Sequence, residues 1–132
     1  MTKSGHCHCG NVKFEVSGEP LAMKQCHCNA CKRLTGTGHN VQAFFSTSDV
    51  KIEGETSTHE STSDTGNIRA RHFCSNCGSR LFAYNSAMPN VIGISAGSFD
   101  DSSWFKPEVI LYNSNRPAWD TIDENIKTHD LM

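Results

Sequence analysis

The sequence predicts a mainly β, metal-binding fold, and three observations carry that prediction. Short runs rich in Val, Ile, Phe and Tyr alternate apolar and polar residues with a period of two. The helical period of 3.6 is hard to find anywhere. Seven cysteines in 132 residues fall into three tight clusters of two, three and two.

Along the chain, "VKFEV" sets Val12, Phe14 and Val16 against Lys13 and Glu15, which is the pattern of a half-buried strand. "VQAFF", "VKIEG", "RLFAY", "NVIGIS" and "EVILY" are further strands of ordinary length. "NACKRLTG" is the best helical turn, with Asn29 as its cap and Gly36 at its end. "STSD", just before Val50, is a second short helix or turn. Residues 54–67, "GETSTHESTSDTGN", are polar and form either a flexible hairpin or a pair of exposed edge strands. No linker divides the chain, so residues 1–132 are expected to form one domain of antiparallel strands with one or two short helical turns.

The formal net charge of −2 offers no electrostatic hold on nucleic acid. The start, "MTKSGHCHCG", lacks the apolar stretch of a signal peptide, and passages such as "VIGISAG" are too short to span a bilayer. The expectation is a soluble cytoplasmic protein with neither nucleic acid nor membrane as partner. Nothing in the sequence specifies an oligomer. In a reducing compartment, closely spaced cysteines bind metal or do redox chemistry more often than they form disulfides, and an odd number cannot all pair.

The clusters are "CHCG" (Cys7, Cys9), "CHCNAC" (Cys26, Cys28, Cys31) and "CSNCG" (Cys74, Cys77). Cys-x-x-Cys is the usual spacing of two zinc ligands on a tight turn. Cys-x-Cys also works, because alternate residues of an extended chain face the same side. Gly10 and Gly78 follow the two outer pairs and let the backbone turn around the thiolates; the middle cluster has no such glycine. The outer pairs would then make a four-cysteine site and the middle cluster a three-cysteine site, two zinc ions in all. A rival partition joins Cys28 and Cys31 to Cys74 and Cys77 and leaves Cys7, Cys9 and Cys26 over. Spacing alone leaves both open.

A closed four-thiolate site has no vacancy and is structural, supporting a thin core. A site with three protein ligands keeps a position for water or substrate unless an outside ligand such as His27 or His39 closes it. A histidine between two cysteines usually points to the opposite face, which argues against His8 and His27 as ligands. Zinc with three thiolates carries a formal −1, acidifies water weakly and suits a soft fourth ligand such as a substrate thiol. Arg69 and Arg71, if on a strand, point to one side and could receive an anion, whereas Lys32 and Arg33 form a basic pair of the solvated kind.

These residues resemble the glutathione-dependent formaldehyde-activating enzyme family, which shares its domain with centromere protein V. The resemblance rests on "CHCG" followed by a strand, "CHCNACK" with a nearby "TG", "FCSNCG", "ISAGSFD" and the "RPAW" of Arg116 to Trp119. It runs from His6 to Trp119 and takes in all seven cysteines. It implies a β-tent fold, a structural zinc on Cys7, Cys9, Cys74 and Cys77, and a catalytic zinc on Cys26, Cys28 and Cys31. The implied activity is that of a carbon–sulfur lyase, combining glutathione and formaldehyde into S-hydroxymethylglutathione or handling a related small thiol–carbonyl adduct. Glutathione would enter as the thiol co-substrate, with Lys32, Arg69 and Arg71 as candidates for its carboxylates. His27, Thr35 and His39 are candidates for the proton relay. The chain has little beyond the shared domain, so glutathione contacts made by extensions in the formaldehyde enzymes are expected to be absent. Two other readings of the same residues are a non-catalytic zinc module that binds another protein and a thiol redox or metal sensor.

Overall fold

The structure is a computed structural model that describes residues 2–132. Eleven strands and one helix follow in order: β1 (Lys3–His6), β2 (Lys13–Val16), β3 (Ala22–Cys26), α1 (Asn29–Thr35), β4 (Asn40–Ser46), β5 (Val50–Glu53), β6 (Thr56–Thr62), β7 (Ile68–Cys74), β8 (Arg80–Asn85), β9 (Met88–Ser95), β10 (Val109–Leu111) and β11 (Lys127–Thr128). The fold is mainly β, as expected. Each strand run named from the sequence lies on a strand of the structure. "STSD" carries a single 3₁₀ turn at Thr47–Asp49. The polar stretch 54–67 forms the edge strand β6 and the turn into β7. None of the described helices is long and apolar enough to cross a membrane.

Two sheets form. The smaller has the order β1-β2-β5, and the larger β11-β10-β3-β4-β9-β8-β7-β6. Pairing is antiparallel except where β10 lies parallel to both β3 and β11. Period-two alternation divides the large sheet into two faces with different tasks. On one face, Ala43 pairs with Ile94 and Phe45 with Ile92, and Phe82 sits beside Ile94. These buried side chains form the core with Val12, Phe14 and Val16 of the small sheet's side. The rings of Phe14 and Phe99 meet edge to face at 5.0 Å, and Phe99 and Trp104 do so at 4.9 Å. Pairs of this geometry add about 0.5–1.5 kcal/mol each to the burial itself.

Close approach of the two sheets depends on Gly5. A β-carbon there would lie 2.2 Å from the Ser98 carbonyl oxygen and 2.4 Å from the Phe14 ring. Gly5→Ala is therefore expected to force the small sheet outward and cost about 1–3 kcal/mol, the range for overpacking. Urea denaturation reads this out as a lower midpoint with an unchanged slope.

The other face of the large sheet is concave. Phe44, Gly93, Ala83 and Arg71 lie in one row across β4, β9, β8 and β7, and Leu111, Cys26 and Asn40 lie in another across β10, β3 and β4. The sheet curls far enough for its two sides to meet. Tyr112, just past β10, donates a hydrogen bond of 2.7 Å to the Asp64 carboxylate in the β6–β7 turn. That bond bridges the mouth of the concavity.

Candidate metal centres and cavity

The outer cysteines come together as two turns facing each other. Cys7 and Cys9 lie in the β1–β2 connection, and Cys74 and Cys77 at the β7–β8 connection. Gly10 (φ 84°) and Gly78 (φ 78°) are left-handed and donate their amides to the carbonyls of Cys7 (3.1 Å) and Cys74 (2.9 Å), which closes each turn around its sulfurs. The four sulfur atoms lie within 4.8 Å of one another, with Cys7 to Cys9 at 3.5 Å and Cys9 to Cys74 at 3.7 Å. A tetrahedral metal with sulfur ligands at about 2.3 Å places neighbouring sulfurs about 3.8 Å apart, so the spacing fits. Val12 donates its amide to the Cys7 sulfur at 3.3 Å, a bond that favours thiolate there.

Cys26, Cys28 and Cys31 form a separate group, also with all sulfurs within 4.8 Å. Cys26 ends β3, Cys28 caps α1 and Cys31 sits in its first turn. Here the structure corrects one expectation: the cap of α1 is Cys28, not Asn29, because the Cys28 sulfur accepts the Cys31 amide at 3.2 Å. Gly36 ends the helix in the left-handed conformation, as expected. The rival grouping of Cys28 and Cys31 with Cys74 and Cys77 does not occur among the described residues.

Three thiols this close cannot all ionise unaided. Hydrogen bonds from the Cys26 and Cys31 thiols hold Cys28 down to about 2. Cys26 is pushed up by its bonds to Cys28 and Cys31 and by burial. Cys31 is pulled down by Cys26, but its bond to Cys28, burial and the Cys28 charge outweigh that and raise it to about 11. These shifts favour a single thiolate in the cluster, and a bound cation is what would let all three be thiolates. The soft donor set fits such a cation.

The three cysteines line a cavity of about 350 Å³ on the concave face. Arg69 and Arg71 of β7 line the same cavity, so the strand spacing does turn both guanidinium groups to one side. Arg71 donates to Ser61 Oγ at 2.6 Å. Burial holds its pKa down, while the charges of Cys31, Cys28 and Cys26 act against that. Arg69 Nε is buried without a hydrogen-bond partner. A buried N–H of a cation with nothing to bind costs a few kcal/mol. Phe44, Val91, Met88 and Leu111 supply apolar wall, and Asn40, Gln42 and Asn115 supply polar groups.

The other candidates from the sequence are placed elsewhere. His27 is fully buried and does not line the cavity. Its Nδ1 donates to the Gly38 carbonyl at 2.9 Å and its Nε2 accepts from the Gln25 amide at 3.1 Å. Burial lowers its pKa, so the ring is neutral. Thr35 and His39 lie at a different, more open surface hollow. Lys32 donates through Nζ to the Asn115 carbonyl at 2.7 Å and does not line the cavity. His27, Thr35, His39 and Lys32 thus lie outside the lining of the cavity, although each is close in sequence to the cysteines.

Tyr112 and its partner Asp64, which both line the cavity, escaped the sequence reading. Tyr112 has φ 54°, a left-handed backbone rare for a tyrosine, and its hydroxyl is bonded to Asp64. Burial, the bond to Asp64 and the nearby thiols push its pKa up to about 12. Its only trace in the sequence is as the last residue of "EVILY", which marks a strand and nothing more.

Comparison with known proteins completes the assignment. A protein of Halomonas elongata named "Putative glutathione-dependent formaldehyde-activating enzyme" is 32% identical over 129 residues, covering 93% of this chain and 82% of that protein. A crystal structure of a Rhodobacter sphaeroides protein shares the fold, with a TM-score of 0.59 at 24% identity, covering 74% of this chain and 87% of the other. Residues 2–115 match the sequence model of the family described as glutathione-dependent formaldehyde-activating enzyme. With that match over nearly the whole chain and all seven cysteines grouped as described, the protein belongs to the glutathione-dependent formaldehyde-activating enzyme family.

Proposed function

We propose that the protein is a carbon–sulfur lyase that joins the thiol of glutathione, or of a closely similar small thiol acid, to formaldehyde. The observation that carries this reading is the joint placement, in one cavity, of three cysteines and two arginines, Arg69 and Arg71. Such a cavity takes a molecule with a soft nucleophile at one end and a carboxylate at the other. Zinc is the metal that the donor sets suit, structural on Cys7, Cys9, Cys74 and Cys77 and catalytic on Cys26, Cys28 and Cys31. When bound at the three-cysteine site, it would supply a positive centre that keeps a substrate thiol ionised near neutral pH.

The chain's own residues do the rest. Arg69 and Arg71 bind the carboxylate and orient the thiol toward Cys26, Cys28 and Cys31. The apolar wall of Phe44, Val91 and Leu111 keeps bulk water from the reacting carbon. As the substrate sulfur bonds to the formaldehyde carbon, the π pair of the carbonyl moves to oxygen. Tyr112 Oη gives that oxygen its proton, and the proton lost by the thiol returns to Tyr112 from solvent. The net result is one C–S bond and one hydroxyl, with no change of oxidation state.

Cobalt substitution tests the reading. Glutathione is expected to shift the thiolate bands of the three-cysteine site while the saturated outer site stays silent, and S-methylglutathione, with no ionisable thiol, to change little. Arg69→Met and Arg71→Met should each raise the glutathione concentration needed by about 10–100-fold, the value of a charged hydrogen bond of ~1.5–3 kcal/mol. A spectrum unmoved by millimolar glutathione would overturn the proposal in favour of a non-catalytic zinc module.

A further inference from the structure

Beside the three-cysteine cluster lies a ring of polar contacts that binding and proton transfer in the cavity leave unused. Asp120 is its centre. One carboxylate oxygen, Oδ2, accepts from His39 Nδ1 at 2.6 Å and lies 3.2 Å from His27 Nδ1, whose proton goes to the Gly38 carbonyl. His27 stands between Cys26 and Cys28, so this carboxylate packs against the side chain of the segment that carries two of the three sulfurs. His39 is tied to the third. Thr35 Oγ1 donates to the Cys31 carbonyl at 2.7 Å, and Thr37 Oγ1 donates to the His39 carbonyl at 2.7 Å. Each hydroxyl has one proton, so the join between them is the Thr37 amide donating to Thr35 Oγ1 at 3.2 Å.

The carboxylate is itself held in place. It is 13% exposed, its backbone carbonyl accepts from Arg116 Nη1 at 2.9 Å, and its amide donates to the Pro117 carbonyl at 3.0 Å. Asp120 also lies beyond residues 2–115, the part that matches the family. The ring therefore joins a segment outside the matched region to all three thiols without touching a sulfur.

We propose that Asp120 is a positioning residue that fixes the spacing of Cys26, Cys28 and Cys31 through His27, His39 and the Thr35–Thr37 link. The inference rests on the reading above that the cluster holds a metal. Groups that orient the ligands of a metal typically contribute 10- to 100-fold to its retention. His27, His39 and Asp120 also lie close enough together to hold a cation themselves. The Nδ1 proton of His27, committed to the Gly38 carbonyl, favours positioning over ligation.

The test is metal release from the zinc-loaded protein into a chromophoric chelator. The wild type is expected to release its metals in two phases, the open three-cysteine site first. Asp120→Asn, nearly the same size, should speed the fast phase by roughly 10-fold and leave the slow, four-cysteine phase unchanged. Thr37→Val should speed the same phase and Thr37→Ser should restore the wild-type rate, which covers the case in which Asp120→Asn fails to fold. The thiolate bands of the cobalt form should shift in Asp120→Asn and Thr37→Val and not in Thr37→Ser. Two wild-type phases with no change in the variants would overturn the role of Asp120 alone. A single wild-type phase would overturn the open metal site on which it rests. A third metal equivalent, present in the wild type and lost in Asp120→Asn, would overturn positioning in favour of a cation held by the two histidines and the carboxylate.

Discussion

Cys74→Ser is expected to abolish cooperative folding at 25 °C, while Cys28→Ser melts within a few degrees of the wild type. The two cysteines differ in what their clusters connect. Cys74 belongs to a group that ties the β1–β2 connection of the small sheet to the β7–β8 connection of the large one, segments some 65 residues apart in sequence, as the Cys9–Cys74 contact shows. Both Cys7 and Cys74 are buried within the core cluster itself. A closed zinc site in a small fold contributes apparent free energy of about 10–16 kcal/mol, against a net stability of about 5–15 kcal/mol for a whole domain. Removing one of four thiolates forfeits most of that. Cys28 joins only β3 to the first turn of α1, neighbours already in sequence, and its loss opens no gap between the sheets. Far-UV circular dichroism and thermal melts of both variants, with zinc present, check this. Equal damage in the two would mean that the clusters do not divide into a structural and a chemical site.

How much of this could be read from the sequence depended on which face a strand turned to which surroundings. β2 and β4 showed themselves because one face is apolar and packs in the core, as with Phe14 and Val16, or Ala43 and Phe45. β7 did not. Its cavity face carries Arg69 and Arg71, and its core face carries Ala70 and His72, the latter stacked on Phe82 at 4.7 Å, so no apolar alternation survives. β3 was hidden for the same reason: Lys24 and Cys26 face the cavity, and the buried Gln25 is there to bond His27. The parallel pairing of β10 with β3 joins residues more than 80 apart, and nothing local specifies it.

The thiols were legible because their own spacing encodes a turn, and the two glycines after the outer pairs mark where that turn closes. The groups around them were not, since a residue near a cysteine in sequence can lie on either side of it. His27, Thr35 and His39 do not line the cavity with the thiols; His27 and His39 lie against Asp120 instead. The tyrosine that lines the cavity with the thiols is Tyr112, brought there by the curl of the sheet and by a backbone conformation that no sequence pattern announces.

Tyr112→Phe is expected to lower kcat by about 100-fold or more, the lower end of what a positioned general acid contributes, with KM for glutathione changed by less than about 3-fold, because the arginines proposed to bind the carboxylate are untouched. The geometry sets this expectation. A left-handed tyrosine costs about 1–3 kcal/mol and persists only where its surroundings hold it. Here the Leu131 carbonyl accepts its amide at 2.9 Å and Asp64 accepts its hydroxyl at 2.7 Å. With its pKa pushed up to about 12, the phenol keeps its proton throughout the neutral range and is ready to hand it to a forming alkoxide. The same shift has a stability signature of fixed sign. The folded group holds its proton above the ordinary value of 10, so this contribution is complete below pH 10 and declines as the pH rises toward about 12. Tyr112→Phe should remove that part of the alkaline loss. A residue that only braced the mouth of the cavity would behave otherwise: its loss would loosen the bridge to the β6–β7 turn and raise KM with kcat nearly intact. Exchange between free and hydroxymethylated glutathione, followed by NMR over a range of glutathione concentrations, separates the two. Asp64→Asn sharpens the distinction, since its amide oxygen still accepts the tyrosine proton and keeps the bridge while the charge that helps raise the pKa is gone. If bracing were the whole role, Asp64→Asn would match the wild type and Tyr112→Phe would fail in KM alone.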